Sequence, residues 1–291
     1  MKMYYCKTPK PNFGDELNSW LWPQLIDAKF DSDNSKLFLG IGSILYDSFP
    51  KEVLKVVVGA GYGGYTPPPK IDDSWRIYFV RGKLTAKHLL IDAELGIGDA
   101  AILIRSCIGP EPKKVHKVSF MPHWESTLVG DWSSVCQEAG IHYLDPCAKV
   151  TEVIQGIRES ELVVTEAMHG AIVSDALRVP WIPVRPIDQS HRMKWDDWAS
   201  ALDMSLMPSV LTASTFPEYL SGRLNSHTAT RILQRQVGKL IRRVSRASFL
   251  DSAASRLTSI ATGTPCMSSD SAITSAHEKM LTKLEAFSRD F

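Results

Sequence analysis

The strongest constraint on the fold is a rhythm of short, almost wholly apolar runs separated by segments of helical spacing. Lys36–Ile41, Val53–Val58, Arg76–Val80 and Ala100–Ile104 each read as a strand, and Met3–Cys6 as a shorter one before them. Strands that are apolar on both sides must be covered on both faces. An open parallel sheet with helices in its crossovers does this. Leu17, Trp20, Leu21 and Leu25 recur at helical spacing after Asp15, which stands where a helix N-cap belongs, with Glu16 in the first turn. Lys83–Ile91 reads as the helix that follows Arg76–Val80.

Across Ile108–Lys117 a glycine, two prolines and three lysines break the pattern. The rhythm then restarts. Val118–Met121, Ile141–Leu144, Leu162–Val164 and Trp181–Val184 read as strands. Helices are expected around Ser133–Ala139, Thr151–Ile157, Gly170–Leu177 and Asp196–Leu202. The expected architecture is two Rossmann-like α/β domains, residues 1–112 and 113–210, facing a cleft. The ligand edge of such sheets is at the C-terminal ends of the strands. Residues 211–291 read as a helical basic extension with a Ser/Thr-rich tail, in which Thr258–Ala276 is a flexible linker and Ala276–Phe287 a short final helix.

Charge bounds the partners. The 291 residues carry 33 Lys+Arg against 32 Asp+Glu, which excludes a uniformly basic surface built for nucleic acid. The balance is uneven, because Arg223–Arg246 holds seven cations and no acid, leaving 26 Lys+Arg against all 32 Asp+Glu elsewhere. In that stretch Ile232, Leu233, Val237, Leu240, Ile241 and Val244 recur opposite Arg231, Arg235, Lys239, Arg242 and Arg246. The default reading is a solvated helix face packing its apolar stripe on the second domain. The sharper one is a helix seated on anionic lipid headgroups. RNA comes third, since no aromatics interleave the basic run. No apolar run is long enough to span a membrane or make a secretory signal, so a cytoplasmic protein, peripheral on the inner face of the membrane, is expected. Five scattered cysteines without a CxxC pair read as reduced packing residues, with no zinc site and no metal requirement.

Gly59-Ala60-Gly61-Tyr62-Gly63-Gly64 satisfies GxGxxG after a strand. That fingerprint binds a pyrophosphate only where a helix begins at the glycines. Pro67-Pro68-Pro69 follows at once and cannot continue a helix, so the segment reads as a strand-end loop lining a cleft.

Five ordered segments carry a family resemblance: Asn12-Phe13-Gly14-Asp15-Glu16-Leu17-Asn18, Gly40-Ile41-Gly42-Ser43-Ile44-Leu45, Val80-Arg81-Gly82, Gly98-Asp99-Ala100-Ala101-Ile102-Leu103 and Glu166-Ala167-Met168-His169-Gly170-Ala171-Ile172. Over Met1–Leu202 the chain resembles the polysaccharide pyruvyl transferase family, in particular bacterial exopolysaccharide ketal transferases. The resemblance implies a GT-B-like pair of domains, the first taking the acceptor and the second the donor. It implies transfer of pyruvate from phosphoenolpyruvate onto hydroxyls of a lipid-linked oligosaccharide or polysaccharide precursor, with release of phosphate. No cofactor is implied, phosphoenolpyruvate being the donor substrate.

That chemistry needs cations and backbone amides for a phosphate and a carboxylate. Arg81, at a strand's C-terminal end, is expected to offer a bidentate guanidinium, and His169-Gly170 a helix start with free N–H groups. Family members commonly carry an arginine two positions before the histidine. Here Ala167 stands there, so the contact is expected from Arg185 or Arg192, with Lys194 beside them. Ala100 stands where proline often follows the Gly-Asp pair. Asn12, Gly14, His123, Glu166 and Met168 are the remaining binding candidates. Ketal formation requires a proton delivered to the enol carbon and protons taken from two hydroxyls. His169 and Asp15 are the candidate acid and base, in an order the residues do not decide.

Each residue also has a plain structural reading: Asp15 as a helix cap, Arg81 as an ion-pair partner, His169 as a satisfied histidine, Gly170 as a packing glycine. Trp195 and Trp198 flank two aspartates and read either as a sugar-stacking surface or as inward-packing aromatics. Two other functions keep the fold. One is a sugar-nucleotide glycosyltransferase, for which Glu166 and Asp175 are the carboxylates in reach of a donor ribose; the other is a non-catalytic glycan-binding relative.

Overall fold

A computed structural model of the chain describes residues 1–27, 30–185, 191–224 and 246–291. They form two compact α/β units. Unit 1 comprises Met1–Pro110, Ser190–Leu206 and Ser268–Phe291, and unit 2 comprises Glu111–Gln189 and Met207–Met267.

The sheet of unit 1 holds four parallel strands in chain order: β1 (Lys2–Tyr4), β2 (Lys36–Leu39), β3 (Leu54–Val58) and β4 (Trp75–Phe79). Val56, Val57 and Val58 are buried on both faces, as a continuous apolar run requires. Helix α1 (Phe13–Leu25) crosses from β1 to β2, and α2 (Lys83–Leu89) follows β4. Helix α1 begins two residues before Asp15, with Asn12 at the cap, so Asp15 lies inside the first turn and is not the cap residue. Asn18 fastens this helix to the end of β2. Its amide donates to the carbonyls of Asp15 (3.0 Å) and Ile41 (2.9 Å), and its oxygen accepts from Ile41 N (2.8 Å) and Trp22 Nε1 (2.9 Å). Asn18→Ala orphans all four buried partners at about 1–3 kcal/mol per stranded group before relaxation. A drop of several kcal/mol in urea denaturation is expected.

Ala100–Ile104 is not a strand. It forms a 3-10 helix, Ala100–Ser106, whose first turn is capped by the Asp99 carboxylate accepting from Ala101 N at 3.0 Å. All five residues are buried, and a run apolar on every side carries no period to tell strand from buried helix.

Unit 2 has a second parallel sheet, ordered β6-β5-β7-β8, from β5 (Ser119–Met121), β6 (His142–Tyr143), β7 (Val163–Thr165) and β8 (Trp181–Pro183). Helix α3 (Trp132–Ala139) leads from β5 out to β6, α4 (Val150–Arg158) returns to β7, and α5 (Met168–Ala176) leads from β7 to β8 on the opposite side. The connections leaving β5 and β7 therefore diverge, which makes the gap between these neighbours the topological switch point of the sheet.

The segments after β8 depart from expectation. Helix α6 (Arg192–Ala201), read as the end of the second domain, packs against α2 in unit 1. Helix α7 (Phe216–Leu224) belongs to unit 2. The described residues of 211–291 form no separate extension, and Thr258–Ala276 is no linker. Helix α8 (Arg246–Ala261) puts Ala253, Ala254, Leu257 and Ile260 into the core of unit 2, and Cys266 then pairs with Trp181 at the outer edge of β8. Helix α9 (Asp270–Asp290) buries Ile273, Ala276, Met280, Leu284 and Phe287 in unit 1, where the Phe287 ring meets Phe38 edge-on at 5.6 Å. Hydroxyl side chains on the outer faces gave the stretch a linker's composition, while its apolar positions keep helical spacing. The basic stripe from Arg231 to Arg242 lies outside the described residues. Among the described residues, no helix is long and apolar enough to cross a membrane.

Candidate active site

In unit 2 the loops after β5 and β7 border the switch point. His123 and Glu166 tie these loops together: His123 N donates to Glu166 Oε2 at 2.8 Å, and both side chains are buried. His123 Nδ1 lies 3.4 Å from Glu125 Oε2. Two residues beyond Glu166, α5 begins with Met168 at its first position and His169 at its second. The first N–H groups of a helix have no intrahelical acceptor and carry its positive dipole end. His169, half-buried, stands among them. Met168 is 3% exposed, so its side chain packs in the core and only its backbone N–H is left for a ligand. Gly170 takes its packing reading, since a Cβ there would lie 2.5 Å from Thr165 Oγ1 and 2.7 Å from Met121 Sδ.

Behind the β5 loop sits a group the sequence did not mark. Glu218, on α7, accepts from Trp132 Nε1 (2.7 Å), from Ser214 N (2.6 Å) and from Ser214 Oγ (2.6 Å). Thr215 Oγ1 donates to Val129 O at 2.5 Å. The start of α7 thus clasps the end of the loop that carries His123. Complete burial pushes the Glu218 carboxyl up to about 7, the Glu166 charge adding to the rise while the Ser214 and Trp132 hydrogen bonds oppose it. Below the ordinary carboxyl value of 4.5 folded and unfolded chains are both protonated here. As pH rises from there to about 7 the unfolded chain ionises first, so this group's contribution to stability falls by about 3 kcal/mol. Glu218→Gln, which cannot ionise, is expected to flatten the decline of melting temperature between pH 4.5 and 8 relative to the unaltered protein.

In unit 1 four strand-end loops share one edge. Asp15, 9% exposed, accepts from Asn12 Nδ2 at 2.7 Å and stands beside the loop after β2. Gly14 is buried in the same turn. Arg81 corrects the sequence reading. Its guanidinium is fully buried and turned inward, with Nε donating to Asp197 Oδ2 (2.8 Å), Nη1 to Ser43 Oγ (2.6 Å) and Nη2 to Tyr62 O (2.7 Å). Asp197 also accepts from Thr85 N (2.7 Å) and Thr85 Oγ1 (2.6 Å). Arg81 is therefore a brace for the loops after β2 and β3 and presents no guanidinium outward. Nothing in the sequence distinguishes Asp197 from its neighbour Asp196; only its partner Arg81, distant in the chain, does.

The same loops explain the failed nucleotide motif. No helix begins after Gly64, and the chain runs irregularly to β4. A Cβ on Gly61 would lie 2.2 Å from Arg81 Cζ, and one on Gly63 would lie 2.4 Å from the Tyr65 ring. These glycines make room for protein side chains. Trp195 and Trp198 are buried, which selects inward packing over sugar stacking. Of the two arginines expected to replace the missing one at Ala167, Arg185 is exposed in unit 2, whereas Arg192, like Lys194, belongs to unit 1. Arg192 Nε lies 3.4 Å from Asp196 Oδ2 on its own helix.

The model of the family described as polysaccharide pyruvyl transferase matches residues 10–188. The chain belongs to the polysaccharide pyruvyl transferase family. Succinoglycan biosynthesis protein ExoV of Rhizobium meliloti (strain 1021) is 40% identical over 223 residues, covering 75% of this chain and 70% of that protein. No solved structure matches the chain. The matched region of this polysaccharide pyruvyl transferase includes the Asp15 turn, the Arg81 brace and the switch-point loops carrying His123, Glu166 and His169, and stops before α6. Asp197 and Glu218, which hold the loops from behind, both lie beyond it.

Proposed function

We propose that the protein transfers the pyruvyl group of phosphoenolpyruvate onto sugar hydroxyls of an exopolysaccharide precursor, closing a cyclic ketal and releasing phosphate. The observation that carries this reading is His169 in the first turn of α5, at the switch point of unit 2, in a chain of this family. Unit 2 takes the donor. The N–H groups at the start of α5 suit its phosphate or carboxylate, and His169 supplies an imidazole among them. Glu166 fixes the neighbouring loop through the His123 amide. Unit 1 takes the acceptor, with Asp15 as the carboxylate that accepts a hydroxyl proton.

The balance of the reaction is simple. A proton is added at C3 of the enol, one sugar oxygen bonds to C2, and a second displaces phosphate from the same carbon. Of the two hydroxyl protons, one restores the acid that protonated C3 and the other passes through the base to the departing phosphate. The basic stretch Arg223–Arg246 fits an acceptor carried on an anionic membrane surface at the cytoplasmic face.

Ligand-dependent melting tests the donor. Phosphoenolpyruvate at a hundred times its Kd should stabilise the protein by about 2.7 kcal/mol, a rise of a few degrees. UDP-sugars and NAD(P) should leave the melting temperature unchanged. A shift with UDP-sugars and none with phosphoenolpyruvate would replace this reading with a glycosyltransferase.

A further inference from the structure

We propose that Tyr65, propped by His191, is the platform on which a sugar ring of the acceptor glycan stacks; this rests on the reading of the protein as a transferase acting on glycans and deepens it. Tyr65 lies in the loop after β3, at the ligand edge of the unit 1 sheet. It is 45% exposed, directly after the buried Tyr62 and Gly63 and the exposed Gly64. An exposed tyrosine ordinarily samples several rotamers, but this one is held at three points. Its hydroxyl hydrogen-bonds His191 Nδ1 at 2.9 Å, its ring meets the imidazole edge-on at a centroid distance of 5.9 Å, and one side rests on the backbone of Gly63. Gly64, at φ +76°, turns the chain beneath it in a conformation that disfavours other residues.

This arrangement suits a carbohydrate. A pyranose offers a C–H face of apolar character bounded by a rim of hydroxyls. A ring whose orientation is fixed beforehand gives contact area at little entropic cost. Polar side chains follow on or next to the first turn of α6: the His191 imidazole that props Tyr65, the exposed Arg192 and the half-buried Lys194. Gly59–Gly64 thus keeps two side chains in place at once, the Arg81 brace within and the Tyr65 platform without.

The test is direct binding, independent of catalysis. The protein is titrated calorimetrically with oligosaccharides hydrolysed from succinoglycan, with no donor present. Tyr65→Ala should weaken binding tenfold or more, whereas Tyr65→Phe, which keeps the ring, should remain within threefold of the unaltered protein. Phosphoenolpyruvate affinity should be unchanged in both. Binding by Tyr65→Ala within twofold, an equal loss in Tyr65→Phe, or no binding by the unaltered protein overturns the proposal. A loss of glycan binding in Tyr65→Ala, in a protein that transfers nothing from phosphoenolpyruvate, upholds the platform and overturns the pyruvyl reading instead.

Discussion

Asp197→Ala should lower the unfolding free energy by about 3–5 kcal/mol, a large part of the stability of an ordinary domain. The carboxylate is fully buried and is the counter-charge of an equally buried guanidinium. Its removal strands that cation in the interior along with the amide and hydroxyl of Thr85. Thr85 Oγ1 in turn accepts from Tyr62 N at 3.0 Å, so the disturbance reaches the loop after β3. Replacing both charges together behaves differently. Arg81→Met with Asp197→Leu leaves no ion without a partner, and such exchanges are often neutral in stability. Urea denaturation of the single and double variants reads the contrast. Equal losses in both would show that the stranded hydrogen-bond partners, Thr85 and Tyr62 O, set the cost and the unpaired charge does not. The double variant should still transfer poorly, because neither new side chain can hold Ser43 Oγ and Tyr62 O where the guanidinium holds them.

His169→Ala should reduce turnover by about 10²–10⁴-fold, the span general acid–base groups contribute, with little change in melting temperature. The side chain is half-buried at the second position of α5, and the helix is secured by Met168, Ala171 and Ile172 in the core behind it. Alanine is at least as good a helix former, so the start of α5 keeps its helical preference in the variant. Phosphate released from phosphoenolpyruvate in the presence of acceptor measures the effect. Turnover near that of the unaltered protein would remove His169 from the chemistry.

The alternation of apolar runs with helical spacing was readable because burial on both faces leaves its mark directly on the sequence. Every expected strand formed except Ala100–Ile104, where burial on all sides erased the period that separates strand from helix. The tail was misread for the opposite reason. Ser and Thr dominate Thr258–Ala276 by number, while Leu257 and Ile260, and then Ile273 and Ala276, decide by position. Glu166 and His169 were legible as a local motif after a strand. Arg81 was found for the wrong role, since only its distant partner reveals that its charge is neutralised within the protein. Asp197 and Glu218 carry no local signal. Each is one acid among many until the fold brings its donors to it.

The order in which the chain is made gives the passage between units a temporal meaning. Unit 1 is begun by the first 110 residues, interrupted by unit 2, resumed at Ser190–Leu206, interrupted again, and completed only by Ser268–Phe291. Domains ordinarily fold in sequence as they leave the ribosome, the N-terminal one first. Here the unit that starts earliest finishes last: its sheet emerges with the Phe38 ring waiting for Phe287, while unit 2 has received all its residues by Met267. During synthesis the nascent first sheet must stay soluble with part of its apolar face uncovered. That interval is the one in which a chaperone has most to protect.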